Sequence, residues 1–399
     1  MNRTLKLAGD WAPGPLPVDT FPWSGLLLYN LEGPVLDSNK QECLKAPKAG
    51  PSLANASLPQ LQGPTVAVLA NNHMMDFGRP GLEYSITSLD QLNTPHVGAG
   101  FTRELAIAPL QIEWNGLKIG IVARCESQFG VATEGGPGVA AFGFSIYRQI
   151  AQLKRECDVV IVSIHEAAEM FAWPSPKRQE KFRSLIEAGA SIVYGHHSHV
   201  PQGWEKYEHG LIFYGLGNFC VDPDAWSGYQ NTLWSLAPEI AWRDGNMNFQ
   251  PTTLTIEDHN ELIVVRGASE LEKGEHATYL DCCNRPLTNP GLLAGLWQEV
   301  SVQMYQSYYA RWLGFESKEV GTVRRGIRRA IAKTGVTNLL GRGAVADDAH
   351  RDAYLLRHHL FVCESHSDAI ATALGVLGGE LEDVRSEETA RLCREMVSL

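Results

Sequence analysis

The sequence predicts an α/β fold, because short apolar strands alternate with helices and end in polar side chains. Strand-like runs occupy residues 4–9, 25–29, 65–70, 158–164 and 190–195. Helical spacing of apolar residues occupies 79–92, 145–156 and 176–188. The carboxyl ends of buried strands in α/β sheets converge on a ligand crevice. We therefore expect the polar residues that follow these strands to form one site.

Composition and charge limit the classes of protein to which the chain can belong. Its 399 residues are 44% hydrophobic and 20% charged, which is typical of a globular protein long enough for two domains. The net charge of -11 and the pI near 5.6 argue against a general nucleic-acid binder. The eight cysteines are scattered, a pattern that suits a reducing compartment. No apolar stretch reaches membrane-spanning length, so we expect a cytoplasmic protein without a transmembrane segment.

The first three strands each lead into polar side chains. The run at 4–9 stops at Gly9, the second stops before residues 30–34, and the third stops before residues 71–73. The candidate site residues at these ends are Asp10, Glu32, Asn72 and His73, with Asp76 shortly after. Because the three ends repeat the same pattern, we interpret them as parts of one crevice.

The middle of the chain predicts a hairpin and a further strand that ends in histidine. Asn115-Gly116 joins two β-rich runs within residues 110–123, which is a strong two-residue turn signal. The strand at 158–164 ends at His165, which opens a His-Glu-Ala-Ala-Glu segment. A zinc-protease motif would need a second histidine where Glu169 stands, and it would lie on a helix. His165 therefore joins the residues of the crevice instead.

Residues 190–200 give the strongest indication of a metal site. An apolar run ends at Gly195, and His196, His197 and His199 follow within four positions. In an extended turn, His197 and His199 project the same way and can each serve one ion of a pair about 3.5 to 4 Å apart. The alternative is three polar residues in a surface loop, which is common for an isolated His-x-His.

The chain changes character after residue 266. Helical spacing returns at 291–313 and 366–376, so we expect two domains, residues 1–266 and a mainly helical region at 267–399. A basic stripe in this region consists of Arg324, Arg325, Arg328, Arg329 and Lys333. On a helix these residues would form a solvated or packing face, or a contact for a polyanion or an anionic membrane surface.

The strand ends supply the ligand types that a two-metal hydrolase needs. Such a site uses about three protein ligands per ion, with one carboxylate able to bridge the two ions. We assign one ion to Asp10, Glu32 and His199. We assign the other ion to Glu32, Asn72, His165 and His197. The expected cofactor is a pair of divalent metal ions, of manganese, iron or zinc.

Residues beside these ligands are candidates for proton transfer and substrate contact. His73 would donate to a developing oxyanion or protonate the leaving group, and Asp76 would orient a neighbouring side chain. His196 either lines the cleft or is structural. We also expect substrate contacts from Glu169 and Asn218.

The same residues form an ordered set of motifs. The set comprises Gly9-Asp10, Asn30-Leu31-Glu32-Gly33-Pro34, Ala70-Asn71-Asn72-His73 with Asp76 and Gly78, Gly98-Ala99-Gly100, His165 with Glu169, Gly195-His196-His197-Ser198-His199-Val200, and Leu216-Gly217-Asn218-Phe219. In this order it resembles the bacterial capsule-synthesis (poly-gamma-glutamate biosynthesis, CapA-type) family of the calcineurin-like metallophosphoesterase superfamily. The resemblance implies a four-layer αββα metallophosphoesterase-like sandwich around a dinuclear site, and the C-terminal helical extension lies outside it. Glu166-Ala167 replace the Trp-Gly usual after the histidine, and Trp11-Ala12 replace the Asp-x-His start of the wider superfamily.

Two classes of function compete for this chain. The first is a metal-dependent hydrolase of phosphoesterase type, acting in capsule, poly-gamma-glutamate or exopolysaccharide metabolism on a phosphorylated or polymeric surface-polymer substrate. Amide (gamma-glutamyl) hydrolysis is its nearest chemical variant. The second is a noncatalytic, metal-braced scaffold or a polyanion-binding partner of a polymer-biosynthesis assembly, with no specific nucleic-acid ligand. Because a purely structural metal site tends to be closed and mononuclear, the ligand set favours the enzyme.

Overall fold

The computed structural model describes residues 4–20, 23–36, 52–59, 61, 63–243, 246–270, 274–313 and 348–398. The basic stripe predicted at 324–333 lies outside the described residues. Within them, the α/β fold predicted from the sequence is confirmed, with two large sheets packed face to face.

The first large sheet is built on parallel strands that end at one edge. In sheet order they are β1 (Thr4–Ala12), β3 (Leu26–Leu31), β4 (Thr65–Val68) and β5 (His96–Val97). The sheet is completed by β14 (Asn218–Val221), parallel to β1, and by the antiparallel β16 (Glu239–Arg243) and β17 (Asn246–Gln250).

The first strand corrects a predicted boundary. β1 does not stop at Gly9, because Asp10 and Trp11 pair with β14, a strand from a distant part of the chain. The two strands approach closely at this point: a Cβ on Gly9 would lie 1.7 Å from the carbonyl oxygen of Gly217. The local hydrophobic pattern contained no sign of this partner.

The second large sheet carries the histidines. Its strands are β7 (Leu110–Trp114), β8 (Leu117–Cys125), β10 (Val159–His165), β11 (Ile192–His196), β12 (Trp204–Tyr207) and β13 (Gly210–Phe213). Their order across the sheet is β12-β13-β11-β10-β8-β7, and β8, β10, β11 and β13 run parallel. The predicted hairpin at β7 and β8 is confirmed, with φ of 47° at Asn115 and 75° at Gly116. Left-handed backbone at both positions is typical of a type I′ turn.

Helices cover the outer faces of the paired sheets. They are α1 (Gly78–Gln91), α2 (Arg103–Ile107), α3 (Ser145–Glu156), α4 (Pro176–Glu187) and the short α5 (Pro223–Trp226). In the second sheet, alternate residues face opposite ways: Ile161 belongs to the core shared with the first sheet, and Val162 packs with Ile150 of α3 and Phe182 of α4. Leu82 of α1 belongs to the core around the first sheet. The arrangement confirms the four-layer prediction.

Two smaller sheets extend this frame. One contains β2 (Val18–Thr20), β15 (Trp234–Leu236), β18 (Thr252–Asp258) and β19 (Ile263–Glu270), and the other pairs β6 (Ala99–Gly100) with β9 (Gly138–Val139). Ala8 of the first large sheet and Leu254 of β18 line one small cavity, so the four-stranded sheet covers part of that face.

The C-terminal region is helical, as predicted. It contains α6 (Glu275–Leu287), α7 (Pro290–Met304), a π-helix (Tyr305–Tyr309), α8 (Ala310–Trp312), α9 (Asp348–Val362), α10 (Glu364–Gly378) and α11 (Glu387–Met396). Helix α7 packs against the loop that follows β10: the ring centroids of Phe171 and Trp297 are 5.6 Å apart. The predicted boundary at 266/267 falls inside β19, and the division into two domains stays a prediction.

Helices α9 and α10 lie at a sharp angle to each other. No single helix among the described residues is both long and apolar enough to cross a membrane. Within the part of the chain that the structure describes, one pair of helices, Arg351–Val362 and Glu364–Gly378, together has such a length and composition, and the two helices differ in direction by 80°.

Candidate metal centre

The structure brings all six predicted metal ligands together at the ends of five strands. Asp10 lies in β1, Glu32 directly follows β3, and Asn72 follows β4. His165 is the last residue of β10, and His197 and His199 follow β11. All six side chains are buried. The rule that polar residues at parallel strand ends share one crevice therefore holds across both large sheets.

Two groups of donor atoms share one carboxylate. In the first group, one donor atom each from Asp10, Glu32 and His199 lie within 4.8 Å of one another. In the second group, the same holds for Glu32, His165 and His197. Asn72 adjoins the second group, because its Oδ1 is 2.8 Å from His165 Nε2. Carboxylate, imidazole and amide oxygen are suitable ligands for divalent metal ions, and a shared carboxylate is what a paired site needs.

The loop that carries the histidines differs from the predicted extended turn. His197 and His199 have φ of 80° and 55°, in the left-handed region that few residues other than glycine adopt. Their rings still converge, with centroids 6.0 Å apart. The loop is held by the hydrogen bond from Met170 N to Ser198 O (3.0 Å) and by the one from Ser198 Oγ to Val200 O (2.7 Å). Strained backbone that its surroundings hold in place is typical of functional sites.

Asp10 organises the first group through several neighbours. The distance from His196 Nδ1 to Asp10 Oδ1 is 2.9 Å, and the backbone N–H of His197 donates to Asp10 Oδ2 at 3.3 Å. Burial alone would raise the pKa of Asp10, but the imidazoles of His196 and His199 and the hydrogen bond from Asn30 hold it below its usual value. Asp10 is therefore ionised and can act as a ligand.

The charge environments of two of the three ligand histidines, His165 and His199, differ. Burial, together with the neighbouring imidazole of His197, holds the pKa of His165 well below its usual value, so this ring is neutral with an available lone pair. Burial also acts against protonation of His199, but the carboxylates of Glu32 and Asp10 outweigh it and raise that pKa. The pocket around Glu32 thus has the negative field that attracts cations.

His73 and Asp76 form the pair that the sequence placed beside the ligands. His73 Nδ1 lies 2.7 Å from Asp76 Oδ2, and the same oxygen accepts from the backbone N–H of Leu53 at 2.8 Å. A carboxylate on one ring nitrogen fixes the orientation and tautomer of the imidazole. The pair therefore has the geometry of an oriented proton donor.

The predicted substrate contacts occupy different environments. Glu169 is exposed, and its Oε1 lies 3.9 Å from His197 Nε2. His196 is buried beside Asp10, and Asn218 is buried with its Oδ1 3.0 Å from His199 Nδ1. Both have the geometry of residues that position ligand side chains, and their contact with substrate stays a prediction.

Sequence reasoning gave no role to two asparagines that connect the ligands. Asn30 Nδ2 donates to Asp10 Oδ1 at 2.8 Å and lies 3.3 Å from His165 Nδ1. Asn71 Nδ2 donates to Asn30 Oδ1 at 3.1 Å, and Asn71 Oδ1 accepts from the backbone N–H of His73 at 3.2 Å. Both residues lie at strand ends, so the rule that selected Glu32 and Asn72 could also have selected them.

Sequence reasoning missed Glu126 entirely. It follows β8 just as Glu32 follows β3, and its Oε1 lies 3.5 Å from His197 Nε2. Burial and the nearby carboxylate of Glu166 raise its pKa to about 8. Its position at the end of a buried strand was the available signal, but the hairpin prediction for residues 110–123 stopped short of it.

Glu166, at the position where the sequence departs from the family pattern, lines a cavity. Its two carboxylate oxygens accept from Lys181 Nζ at 2.7 and 2.6 Å. The cavity has a volume of about 370 Å³ and is also lined by Lys177, Trp297 and Asp368, but by none of the six predicted metal ligands. Charged side chains of both signs therefore surround this space.

Comparisons with known proteins agree with the motif order. The family model described as "Bacterial capsule synthesis protein PGA_cap" matches residues 20–223. The "Capsule biosynthesis protein CapA" of Bacillus anthracis is 31% identical over 203 residues, which cover 48% of this chain and 49% of the relative. The "PGA biosynthesis protein CapA" of Bacillus subtilis is 30% identical over 200 residues, covering 49% and 51%. The chain thus spans about half the length of the curated relatives it matches.

A solved structure shows a distant likeness. A structure described as a novel phosphatase from Mycoplasma pneumoniae is 13% identical, covers 70% of this chain and 99% of its own, and superposes with a TM-score of 0.34.

Proposed function

The chain belongs to the bacterial capsule synthesis (PGA_cap) family, and from this premise we propose that it is a metal-dependent phosphoesterase of surface-polymer metabolism. The proposed reaction is hydrolysis of a phosphate ester at a dinuclear centre on Asp10, Glu32, Asn72, His165, His197 and His199. The proposed substrate is a phosphorylated component of a capsule polymer such as poly-gamma-glutamate or an exopolysaccharide. The names of the relatives, which refer to capsule and PGA biosynthesis, support this substrate class.

One observation carries the proposal: Glu32 is common to both groups of donor atoms. A single structural ion would need one closed set of ligands around one centre. Here a carboxylate lies between two partial sets, each with three or four protein donors, which leaves coordination positions for water and substrate. This open, paired arrangement supports hydrolysis over a purely structural role.

The chemistry divides between the ions and the chain. A pair of divalent ions, when bound, lowers the pKa of water and neutralises charge on a phosphoryl oxygen. The residues of the chain hold the donor set in place, because Asn30 fixes Asp10 and His165 relative to each other. His73, held by Asp76, donates a proton to the leaving-group oxygen of the ester. The short contact between His73 and Asp76 keeps that donor in one orientation.

The test combines metal content and turnover on the purified full chain. Manganese content is measured by elemental analysis after reconstitution, and aryl phosphate monoesters and diesters serve as substrates. We expect about two manganese ions per chain and turnover of at least one ester class. In Glu32→Gln, which removes the shared charge at similar volume, manganese content should fall well below two ions per chain, and turnover should fall by more than the roughly 10–100-fold typical of outer-shell residues.

A matched control and an additional substrate sharpen the result. His209→Ala removes an exposed histidine in the β12–β13 turn and should leave metal content and turnover unchanged. A gamma-glutamyl anilide tests the amide-hydrolase variant of the reaction. Two bound ions without turnover of any substrate would favour the noncatalytic scaffold, and a protein that binds no manganese would overturn the dinuclear centre itself.

A further inference from the structure

The bend between α9 and α10 brings together a second set of metal-binding side chains. His359 lies near the end of α9, Cys363 lies between the helices, and His366 lies in the first turn of α10. One donor atom from each lies within 4.8 Å of the other two. The rings of His359 and His366 are 5.0 Å apart, because the two helices differ in direction by 80°. None of these residues belongs to the centre around Glu32.

A carboxylate from the end of β8 contacts the cysteine of this group. Glu126 Oε2 lies 3.2 Å from Cys363 Sγ and accepts from the backbone N–H of Ser365 at 2.9 Å. Glu126 is not one of the three residues whose donor atoms lie within 4.8 Å of one another. It therefore supports the cysteine from one side of the group.

We propose that His359, Cys363 and His366 bind a zinc ion, with Glu126 beside the cysteine ligand. Thiolate and imidazole ligands favour zinc, and three such donors leave a fourth tetrahedral position for water or for the Glu126 carboxylate. The region matched by the family model ends at residue 223, so all three ligands lie outside it. The proposal does not depend on catalysis at the centre around Glu32.

Neighbouring aromatic side chains orient the two histidine rings of the proposed zinc site. Tyr309 OH lies 2.6 Å from His366 Nδ1, which leaves Nε2 of that ring for the metal. Metal-binding histidines usually make such a bond with the nitrogen that faces away from the ion. Tyr309 ends the π-helix Tyr305–Tyr309, and single π-turns occur frequently at functional sites. Phe129 stacks on His359 with centroids 4.8 Å apart.

Burial and the state of one histidine agree with this geometry, and the cysteine must lose its proton on metal binding, because burial and the carboxylate of Glu126 raise the pKa of Cys363. Cys363 is 0% exposed and His359 is 7% exposed, so water does not compete strongly for the donor atoms. Burial and the nearby imidazole of His359 lower the pKa of His366 to about 3, so its imidazole is neutral. A neutral imidazole is the form that binds metal ions.

The site would connect the helical region to the centre around Glu32. Glu126 Oε2 faces Cys363, and Glu126 Oε1 lies 3.5 Å from His197 Nε2. A zinc ion on His359, Cys363 and His366 would fix the sulfur that faces this carboxylate and hold α9 and α10 against the end of β8. We therefore expect the ion to brace the helices beside the proposed catalytic residues.

Cobalt substitution tests the proposal with a signal that the other centre does not produce. Tetrahedral cobalt bound to a thiolate has a charge-transfer band in the near ultraviolet. The two donor groups around Glu32 contain no cysteine among the described residues. After metal removal and titration of the full chain with cobalt, we expect this band to saturate at about one ion per chain. Zinc should abolish it by displacement.

Two variants assign the band to a residue. Cys363→Ser should remove it, and Cys393→Ser, which changes a buried cysteine in α11, should retain it. Circular dichroism verifies that each variant is folded. If Cys363→Ser does not fold, the wild-type titration decides alone. Wild-type protein that binds cobalt without the charge-transfer band, or a band that persists in folded Cys363→Ser, would overturn the proposal.

Discussion

The centre around Glu32 and the proposed zinc site at Cys363 are assembled by opposite routes. The first draws its ligands from residues 10 to 199, and five strands of two sheets each contribute at one end. The second takes three ligands from residues 359–366, at one bend between two helices. A sheet edge can therefore collect residues that are distant in sequence, and a helix junction collects neighbours. Glu126 contacts both regions, with Oε1 near His197 and Oε2 near Cys363.

This difference has an energetic consequence. The distributed centre depends on strand register and on close approaches between backbones, such as Gly9 against Gly217. The local site depends on the bend and on the docking of α10 against Glu126. Substitutions at the sheet edge should therefore disrupt the centre around Glu32 more than the site at Cys363. Substitutions in a single C-terminal helix should affect only the C-terminal region.

The largest expected effect is on turnover, and it separates proton transfer from metal binding at the distributed centre around Glu32. His73→Ala should lower phosphoesterase turnover by about 10²–10⁴-fold, the range for loss of a general acid. Manganese content should be unchanged, because His73 is in neither group of donor atoms. Steady-state kinetics and elemental analysis of the same preparation check this. Loss of metal in parallel with turnover would make His73 part of the ligand shell instead.

A glycine pair tests whether the distributed centre depends on backbone packing. In Gly195→Ala, the added Cβ would lie 2.1 Å from the carbonyl oxygen of Tyr214, so the free energy of unfolding should fall by about 3 kcal/mol or more. Gly378→Ala in α10 adds a Cβ with nothing within 4 Å, and should instead raise it by about 0.4–1 kcal/mol. Chemical denaturation measures both values. Equal effects at the two positions would contradict the contrast between the regions.

Glu126 tests the connection between the two regions. Glu126→Gln keeps the volume of the side chain and removes its charge, so zinc affinity at the Cys363 site should fall by about 10–100-fold. Turnover should fall by a smaller factor, because Glu126 lies beside His197 and is in neither donor group around Glu32. Zinc competition and kinetics measure the two effects. Unchanged zinc affinity would show that Glu126 does not support the proposed zinc site.

The smallest expected effect concerns a helix end remote from the distributed centre. Ser386 caps α11 by accepting from the backbone N–H of Thr389 at 3.2 Å. Ser386→Ala should therefore lower stability by about 1 kcal/mol. Manganese content should not change. Ser88→Ala, which removes only a hydroxyl that donates to Tyr84 O within α1, is the matched control and should cost less.

The sequence alone determined the elements and most of the residues of the distributed centre. Apolar runs predicted the strands because burial selects apolar side chains, and the polar residues at their ends identified Asp10, Glu32, Asn72, His165, His197 and His199. The Asn115-Gly116 turn was predicted correctly because its left-handed backbone strongly favours those residue types. These are local signals, which a single sequence contains in full.

Only the tertiary structure decided which distant groups meet. The pairing of Asp10 with β14 and the left-handed backbone at His197 and His199 depend on partners elsewhere in the chain. The contact between Glu126 and Cys363 joins a strand end to a helix junction. No hydrophobic periodicity or sequence motif predicts the contact between Glu126 and Cys363, because it arises from the packing of helices against the end of a strand. Long-range packing is therefore what placed Glu126 beside the local cluster of His359, Cys363 and His366.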